Sequence, residues 1–327
     1  MSGKWTQHIK KIPNKSRKAA AAASYVLYKC IDQPLSLCNE LFVSHVESAA
    51  LYGAEIWGVN NIECLNSVQS GFYKRVLWAS KSASHYGLLR ETGSVDIKCK
   101  AQQRAILYWL KCAKDLTSPL VATCYREQIY NGHLWVNTPW ALKIKEILDN
   151  ILLPDLWVGD GINDRGVYKN VKSHFFAYHK KQLRTKCQLM KSLQAIPLVD
   201  ADAPPPYMTL CSKEARSGLL WLWLGVWVSH KHVILDNGVR SVKCPLCLSS
   251  ESARHILADC PNTQKYRIKF HVNTYDFDFQ IFRNCNDVKL LENLGLYLNT
   301  VRRVRGEAIQ KIRGEAIDDT LDCVCNL

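Results

Sequence analysis

Four metal-binding side chains lie close together in this sequence: Cys244, Cys247, His255 and Cys260, in the spacing C-x2-C-x7-H-x4-C. Zinc prefers a tetrahedron of thiolate and imidazole ligands, and two cysteines separated by two residues can occupy two of its corners from one tight turn. Four protein ligands leave no coordination position for a reactive water. The spacing therefore predicts a structural site, with Zn²⁺ as the cofactor, rather than a catalytic one.

A short helix is predicted to carry His255 into this site. Ser249 or Ser250 would open the helix, and Glu251 in its first turn would complement the helix dipole. The helix should end just before Pro261, because a proline disfavours helical backbone in the residue that precedes it.

The alternative is that these residues are ordinary buried thiols beside a chance histidine, since 14 cysteines in one chain make chance spacings easier. The remaining cysteines are scattered through apolar helical patterns without the spacing of a disulfide framework, as expected for reduced thiols in a core. Reduced thiols argue against secretion. The chain is therefore predicted to be intracellular, with nucleus and cytoplasm both open.

The charge of the chain predicts a polyanionic partner. The formal net charge is +14 and the isoelectric point is about 9.1, which favours RNA or DNA as the partner. Seven basic residues and no acidic one lie in residues 1–31, and eight basic residues and no acidic one lie in residues 165–199. The candidate nucleic-acid contacts, from these two segments and from the surroundings of the cysteines, are Lys10, Lys11, Arg17, Lys18, Lys172, Lys180, Lys181, Arg184, Arg254, Lys265 and Arg267.

The second basic segment also contains aromatic residues, namely Tyr168, Phe175, Phe176 and Tyr178. Aromatic faces can stack on bases while lysines neutralise phosphates, as in grooves that bind single strands without sequence preference. The other interpretation is an amphipathic helix that buries its aromatic side chains and exposes its lysines. Both can hold at once.

Apolar periodicity predicts a mainly α-helical fold that starts with a helical bundle over residues 1–125. A basic helix is expected from Ser16 onward, although this basic, alanine-rich start can also be read as a targeting segment. Further helices should follow at 33–53, at 62–76 and after Gly93.

The rest of the chain divides, on its composition, into three segments. An irregular connector with basic and aromatic residues is predicted over 126–215, a small zinc-binding unit over 216–290, and a C-terminal helix and tail over 291–327. The tail contains two copies of Arg-Gly-Glu-Ala-Ile, which are too few to form a repeat fold.

Within the zinc-binding unit, Asp236-Asn237-Gly238 favours a β-hairpin turn that would lead the chain into the first two cysteines. The apolar run 218–228 is shorter than the roughly 20 residues that span a bilayer. It should pack against the zinc unit, and no membrane partner is expected. A helix over 288–304 should end in several arginines.

Several motifs together resemble non-LTR (LINE-type) retrotransposon reverse transcriptases. Near the start, Gly3-Lys4-Trp5 and His8-Ile9 resemble the segment just past the palm strands of that family. Three motifs resemble the region after the palm: Ala-Leu-Tyr-Gly-Ala-Glu-Ile-Trp-Gly at 50–58, a helix with Leu65, Gln69, Phe72 and Arg75, and Leu-Arg-Glu-Thr-Gly at 89–93. The cysteine–histidine spacing at 244–260 resembles the C-terminal zinc knuckle of the family. The resemblance covers residues 3–290. It implies that 1–125 is thumb-like and 126–243 a connector.

The chain departs from that family at the catalytic centre. Polymerases need carboxylates that hold two metal ions, and the family carries them in an aromatic-x-Asp-Asp hairpin upstream of everything present here. The adjacent aspartates of this chain, Asp318-Asp319, follow Ala-Ile and lie beyond the knuckle. Too few residues follow Cys260 for the nuclease that some relatives carry there. The chain alone is therefore predicted not to be an enzyme.

The sequence thus predicts a retrotransposon-derived fragment that binds RNA or DNA and holds a structural zinc knuckle. One alternative is a protein-interaction scaffold in which the charge is incidental. Another is a thumb and connector that acts in trans with a separate palm-bearing reverse transcriptase. A decayed reading frame without a selected function is the third. The target sequence and the oligomeric state stay open.

Overall fold

A computed structural model describes residues 6–30, 33–60, 62–114, 116–130, 139–159, 161–190, 193, 203–226, 233–236, 239–272 and 283–313. Within these ranges the chain is mainly helical, which confirms the predicted fold class at that level. None of the helices in these ranges is both long enough and apolar enough to cross a membrane.

Helices follow one another along the first part of the chain. They are α1 (Thr6–Tyr28), α2 (Leu35–Leu41), α3 (Ser48–Ala50), α4 (Ala54–Trp57), α5 (Asn66–Val76), α6 (His85–Thr92), α7 (Ile97–Ala113), α8 (Pro119–Tyr130), α9 (Pro139–Asn150), α10 (Asp155–Val158) and α11 (Val167–Leu189). A π-helical segment joins α2 to α3 at Phe42–Glu47, and a 3-10 turn precedes α5 at Glu63–Leu65.

The second part of the chain mixes helices with one pair of strands. Its elements are α12 (Tyr207–Leu210), α13 (Lys213–Trp223), β1 (Val233–Asp236), β2 (Val239–Val242), α14 (Gln264–Lys269) and α15 (Val288–Arg313). Between β2 and α14 lie a π-helical segment at His255–Asp259 and a 3-10 turn at Pro261–Thr263.

The chain divides into two compact units that are each built from separate segments. The first unit comprises residues 1–23, 40–69 and 94–185, and the second comprises 24–39, 70–93 and 186–327. The four segments expected from composition follow one another along the chain, whereas these units group residues by their contacts in space. The four segments therefore stay a prediction.

In the first unit, α7 supplies much of the core. The stripe predicted from its spacing is buried: Ala101, Ala105, Trp109 and Cys112. Trp109 belongs to a cluster of buried side chains with Ile144 of α9 and with Val171 and Phe175 of α11. Its indole ring also stacks on Trp157, with the ring centroids 5.8 Å apart.

In the second unit, α13 and α15 cross at close range because two glycines meet at the crossing. A Cβ atom on Gly218 would overlap the carbonyl oxygen of Gly295, and one on Gly295 would overlap the backbone of Ala215. This approach buries the apolar part of α13, including Trp221 and Trp223. Residues 218–226 of the run that the sequence assigned to core packing are therefore in a core, and residues 227 and 228 lie outside the described residues.

A buried ionic network surrounds Glu91, near the end of α6. Arg283 donates to both of its carboxylate oxygens at 2.9 and 2.8 Å, and Arg90 donates at 2.7 Å. The hydroxyl of Tyr207 donates a further hydrogen bond at 2.7 Å. Burial by itself would raise the pKa of the Glu91 carboxyl, but the two guanidinium groups outweigh it and hold that pKa below its usual range.

The two strands pair in antiparallel register, with Val233 opposite Val242 and Asp236 opposite Val239. Residues 237 and 238 lie outside the described residues. The hairpin turn that Asn-Gly favours therefore stays a prediction. The aspartate pair 318–319, positions 314–317 of the second tail repeat and the last two cysteines lie outside the described residues as well.

Three sequence-based expectations about helices are corrected. Helix α1 begins at Thr6 rather than Ser16, whose hydroxyl donates back to the carbonyl of Ile12 within the helix at 2.9 Å. The connector predicted as irregular contains the long helices α9 and α11. Helix α15 continues to Arg313, well past the expected end, because its buried stripe extends through Arg305 and Ile309.

Candidate metal centre and basic surfaces

The four predicted ligands come together in one cluster. The sulfur of Cys244 lies 4.0 Å from that of Cys260, which lies 3.9 Å from that of Cys247. Nε2 of His255 lies 3.2 Å from the sulfur of Cys247, and all four ligand atoms lie within 4.8 Å of one another. Sulfur atoms bound to one tetrahedral zinc at about 2.3 Å would be about 3.8 Å apart. The cluster is therefore of a size that could hold one metal ion.

A tight turn places the first two cysteines side by side. The amide of Leu248 donates to the carbonyl of Cys244 at 2.8 Å, and the amide of Cys244 donates to the carbonyl of Ser249, also at 2.8 Å. A single antiparallel bridge between Lys243 and Ser250 closes the turn. This geometry requires a left-handed φ of 62° at Leu248, a strained conformation for a leucine that glycine would adopt more readily.

The segment that carries His255 explains why five positions separate it from Cys260. The segment is π-helical, and the amide of Cys260 donates to the carbonyl of His255 at 2.8 Å. A hydrogen bond across five residues brings both side chains to the same side, which a regular α-helix would not do. The predicted stop before Pro261 is confirmed, since Cys260 is already extended.

The start of this segment differs from the expectation. The side chain of Ser252, not of Ser249 or Ser250, accepts a hydrogen bond from the amide of His255 at 2.9 Å. Ser249 and Ser250 instead complete the preceding turn through their backbone. Glu251 therefore lies before the helix, where it forms a buried ion pair with Arg305 rather than a contact with the helix dipole.

The hydrogen bonds and burial within the cluster give Cys244 and Cys260 different pKa values. The hydrogen bond between Cys244 and Cys260, together with burial, raises the pKa of the Cys244 thiol to about 12. The same hydrogen bond lowers the pKa of Cys260 to about 7. Cys260 is thus the thiol that ionises more readily, and a thiolate is the form that binds metals.

Arg305 of α15 supports the cluster from outside, and sequence reasoning gave it no such role. Its Nη1 lies 3.7 Å from the sulfur of Cys244, and it pairs with Glu251. Its guanidinium also lies over the ring of Trp221, 5.7 Å from the centroid. The residue is 2% exposed. The sequence does place Arg305 on the apolar stripe of a helix, which indicates a buried arginine. It does not show which residues pair with it, because those residues are far away in sequence.

A second set of contacts fixes the backbone after the cluster. The hydroxyl of Tyr297 donates to the carbonyl of Ile256 at 2.7 Å. Arg267 donates to the carbonyl of Cys260 at 2.9 Å and to the hydroxyl of Thr263 at 2.7 Å. Arg267 was predicted as a phosphate contact, and in the structure it holds the backbone of Cys260, the last residue of the cluster.

The other predicted contacts near the cluster lie at the surface. Arg254 is exposed and forms a long ion pair with Asp259 at 3.8 Å. Lys265 is exposed on α14, with its ammonium 5.0 Å from the centroid of the Tyr266 ring.

The predicted contacts on α1 are also exposed: Lys10, Lys11, Arg17 and Lys18. Arg17 donates to Asn14 at 2.9 Å and to Ser67 at 3.4 Å. These side chains point to solvent while Ile12 and Ser16 of the same helix are buried.

The second basic segment forms one long helix, α11, with two distinct faces. Val167, Val171 and Phe175 are buried in the core of the first unit. A neighbouring face, called the α11 stripe below, is formed by Lys172, Phe176, Lys180 and Arg184 at four-residue spacing, and of these only Lys180 is partly covered. Phe176 is 47% exposed, with the ammonium of Lys180 over its ring at 4.5 Å. Lys181 is exposed beside the stripe.

Comparison of the chain with models of protein families, with curated proteins and with solved structures found no match. The resemblance to non-LTR reverse transcriptases rests on the motifs quoted above. In the part of the chain that the structure describes, the cysteine–histidine cluster is the one group of three or more such side chains placed to hold a metal ion.

Proposed function

We propose that this chain binds RNA or DNA through exposed basic helices and holds one structural zinc ion in a knuckle. We propose further that it derives from the C-terminal part of a non-LTR retrotransposon reverse transcriptase. The motifs at 50–58 and 89–93 and the knuckle spacing support this origin.

The α11 stripe is the observation that carries the nucleic-acid proposal. Three cations and one exposed aromatic ring lie along one face of α11. No acidic residue occurs between positions 164 and 200 to neutralise them in sequence. A row of cations follows a phosphate backbone, and an aromatic ring among them can stack on an unpaired base. The exposed lysines of α1 extend the positive charge of the same unit.

Zinc is the ion that the donor set favours. Three thiolates and one imidazole are typical of closed structural zinc sites, and hard cations such as Mg²⁺ prefer oxygen ligands. The cluster offers four protein ligands of the soft or borderline type.

Elemental analysis tests the zinc proposal. We expect about one zinc per chain in protein purified under reducing conditions, and its loss in Cys244→Ser and in His255→Ala. The matched control is Cys64→Ser, which removes an exposed cysteine that is not a member of the cluster and should keep the metal. Wild-type protein without zinc under these conditions would contradict the proposal.

Salt-dependent binding tests the nucleic-acid proposal. The logarithm of the binding constant should fall with the logarithm of salt concentration at a slope of about −0.7 to −0.9 for each phosphate contact. The triple variant Lys172→Gln/Lys180→Gln/Arg184→Gln should reduce that slope by about 2 to 3. Lys145→Gln, an exposed lysine on α9 beside Glu146 and Asp149, serves as the control. Binding that does not respond to salt would rule out the electrostatic mechanism.

A further inference from the structure

An aromatic and basic patch on the second unit belongs to none of the surfaces described above. Tyr25 and Tyr28, one turn apart at the end of α1, are 61% and 54% exposed. The ammonium of Lys29 lies 4.7 Å from the centroid of the Tyr25 ring. The ammonium of Lys213 lies 5.6 Å from that of Tyr28 and 3.9 Å from that of Trp78. We call these five residues the tyrosine patch.

The tyrosine patch is held by rigid backbone. Trp78 follows the end of α5 in a left-handed conformation with a φ of 53°, and the amide of Ala79 donates to the carbonyl of Lys74 at 2.9 Å. This arrangement is a helix C-terminal motif in which glycine is the preferred residue. The carbonyl of Trp78 accepts a hydrogen bond at 2.9 Å from the buried hydroxyl of Ser217.

The chemistry of these side chains indicates a ligand with flat rings and negative charge. Tyrosine side chains that are more than half exposed offer ring faces to unpaired bases, and two of them one helical turn apart are neighbours on the surface. The lysines beside them can neutralise the phosphates that join those bases. Trp78 holds the ammonium of Lys213 next to Tyr28 and would act as a positioning residue.

We propose that the tyrosine patch binds a single-stranded segment of nucleic acid by stacking bases on Tyr25 and Tyr28. This inference rests on the proposed function and makes it more specific, because a duplex keeps its bases stacked inside and cannot use the patch in this way. The patch would give the chain a preference for single strands that a row of lysines alone would not give.

Fluorescence anisotropy with a labelled oligothymidylate and with a labelled duplex of the same length tests the proposal. Tyr25→Ala/Tyr28→Ala should weaken binding of the single strand by about ten-fold or more, and should change duplex binding little. Tyr25→Phe/Tyr28→Phe keeps the ring faces and should bind the single strand like the wild type.

A second variant separates stacking from folding. Trp78→Gly relieves the left-handed backbone but removes a half-buried indole, so its binding is measured under conditions in which urea denaturation shows that both variant and wild type are folded. It should nevertheless lose part of the single-strand affinity, because Lys213 is no longer held in place.

The outcomes distinguish this proposal from the general function. If the α11 stripe variant weakens binding but the tyrosine variants do not, the patch proposal is wrong and the proposed function stands. If the tyrosine variants weaken single-strand and duplex binding equally, stacking is not the mechanism and the proposal is also wrong. If the wild type binds neither ligand, both fail together.

Discussion

Two buried arginines of the second unit and the exposed cations of helix α11 serve the molecule in opposite ways. Arg283 and Arg305 are 1% and 2% exposed, and each forms an ion pair with a buried glutamate. Lys172 and Arg184 on α11 are exposed to solvent. All four count equally in the net charge of +14. The net charge therefore overstates how much charge a polyanion can reach, and the position of each cation decides whether it serves folding or binding.

The buried cations should give the largest effect on stability. Glu91→Gln would leave Arg283 and Arg90 without the charge that compensates for their burial. Removing one partner of a buried ion pair costs about 3 to 5 kcal/mol. Urea denaturation should show a decrease of this size in the free energy of unfolding. A value close to that of the wild type would mean that the buried network contributes little, and the contrast with α11 would disappear.

Arg305 connects the buried cations to the metal centre. Arg305→Met keeps much of the side-chain volume but removes the donor to Cys244 and the partner of Glu251. Substitution of a residue that supports a metal ligand typically lowers metal affinity by about 10- to 100-fold. Competition with a chromophoric chelator should show a loss of that order. Arg303→Met alters an exposed arginine on the same helix and should leave the affinity unchanged.

The buried network around Glu91 should also make stability depend on pH. The folded-state pKa of Glu91 is below its usual range, so its carboxylate stabilises the fold above the usual glutamate pKa of about 4.3. That contribution should be lost as the pH falls from this value through the lower folded-state pKa. The difference in unfolding free energy between wild type and Glu91→Gln should therefore shrink over this range. A difference that stays constant would contradict the assignment.

The exposed cations should give the smallest effect on stability. Lys172→Gln and Lys181→Gln remove exposed charges, and such surface substitutions usually change stability by less than about 0.5 kcal/mol. Thermal unfolding of each variant should match that of the wild type. A large loss would show that α11 uses these side chains for folding, and the α11 stripe would then be a poor candidate for a binding surface.

The metal cluster was predictable because its geometry is local. Cys244 and Cys247 need only one tight turn, and His255 and Cys260 need one short helical segment. The details of that segment were not predictable in the same way. Several serines compete to cap a short helix, and Ser252 caps it because the preceding two complete the turn.

The exposed stripe of α11 was also encoded locally, since apolar and basic residues that each recur at four-residue steps define two faces of a helix. Of the two interpretations left open for its aromatic residues, the amphipathic helix agrees with the burial pattern, and stacking on bases stays a proposal. Phe175 is buried in the core, whereas Phe176 is partly exposed among the lysines.

The sequence by itself determined the mainly helical fold, the buried stripe of α7 and the four residues of the metal cluster. Each follows from the spacing of side chains within one or two turns of backbone. Only the tertiary structure decided that Glu91 pairs with Arg283, that Arg305 supports Cys244, and that Lys213 lies between Tyr28 and Trp78. These partners are separated by tens to hundreds of residues, and periodicity carries no information about which distant side chains meet when helices pack.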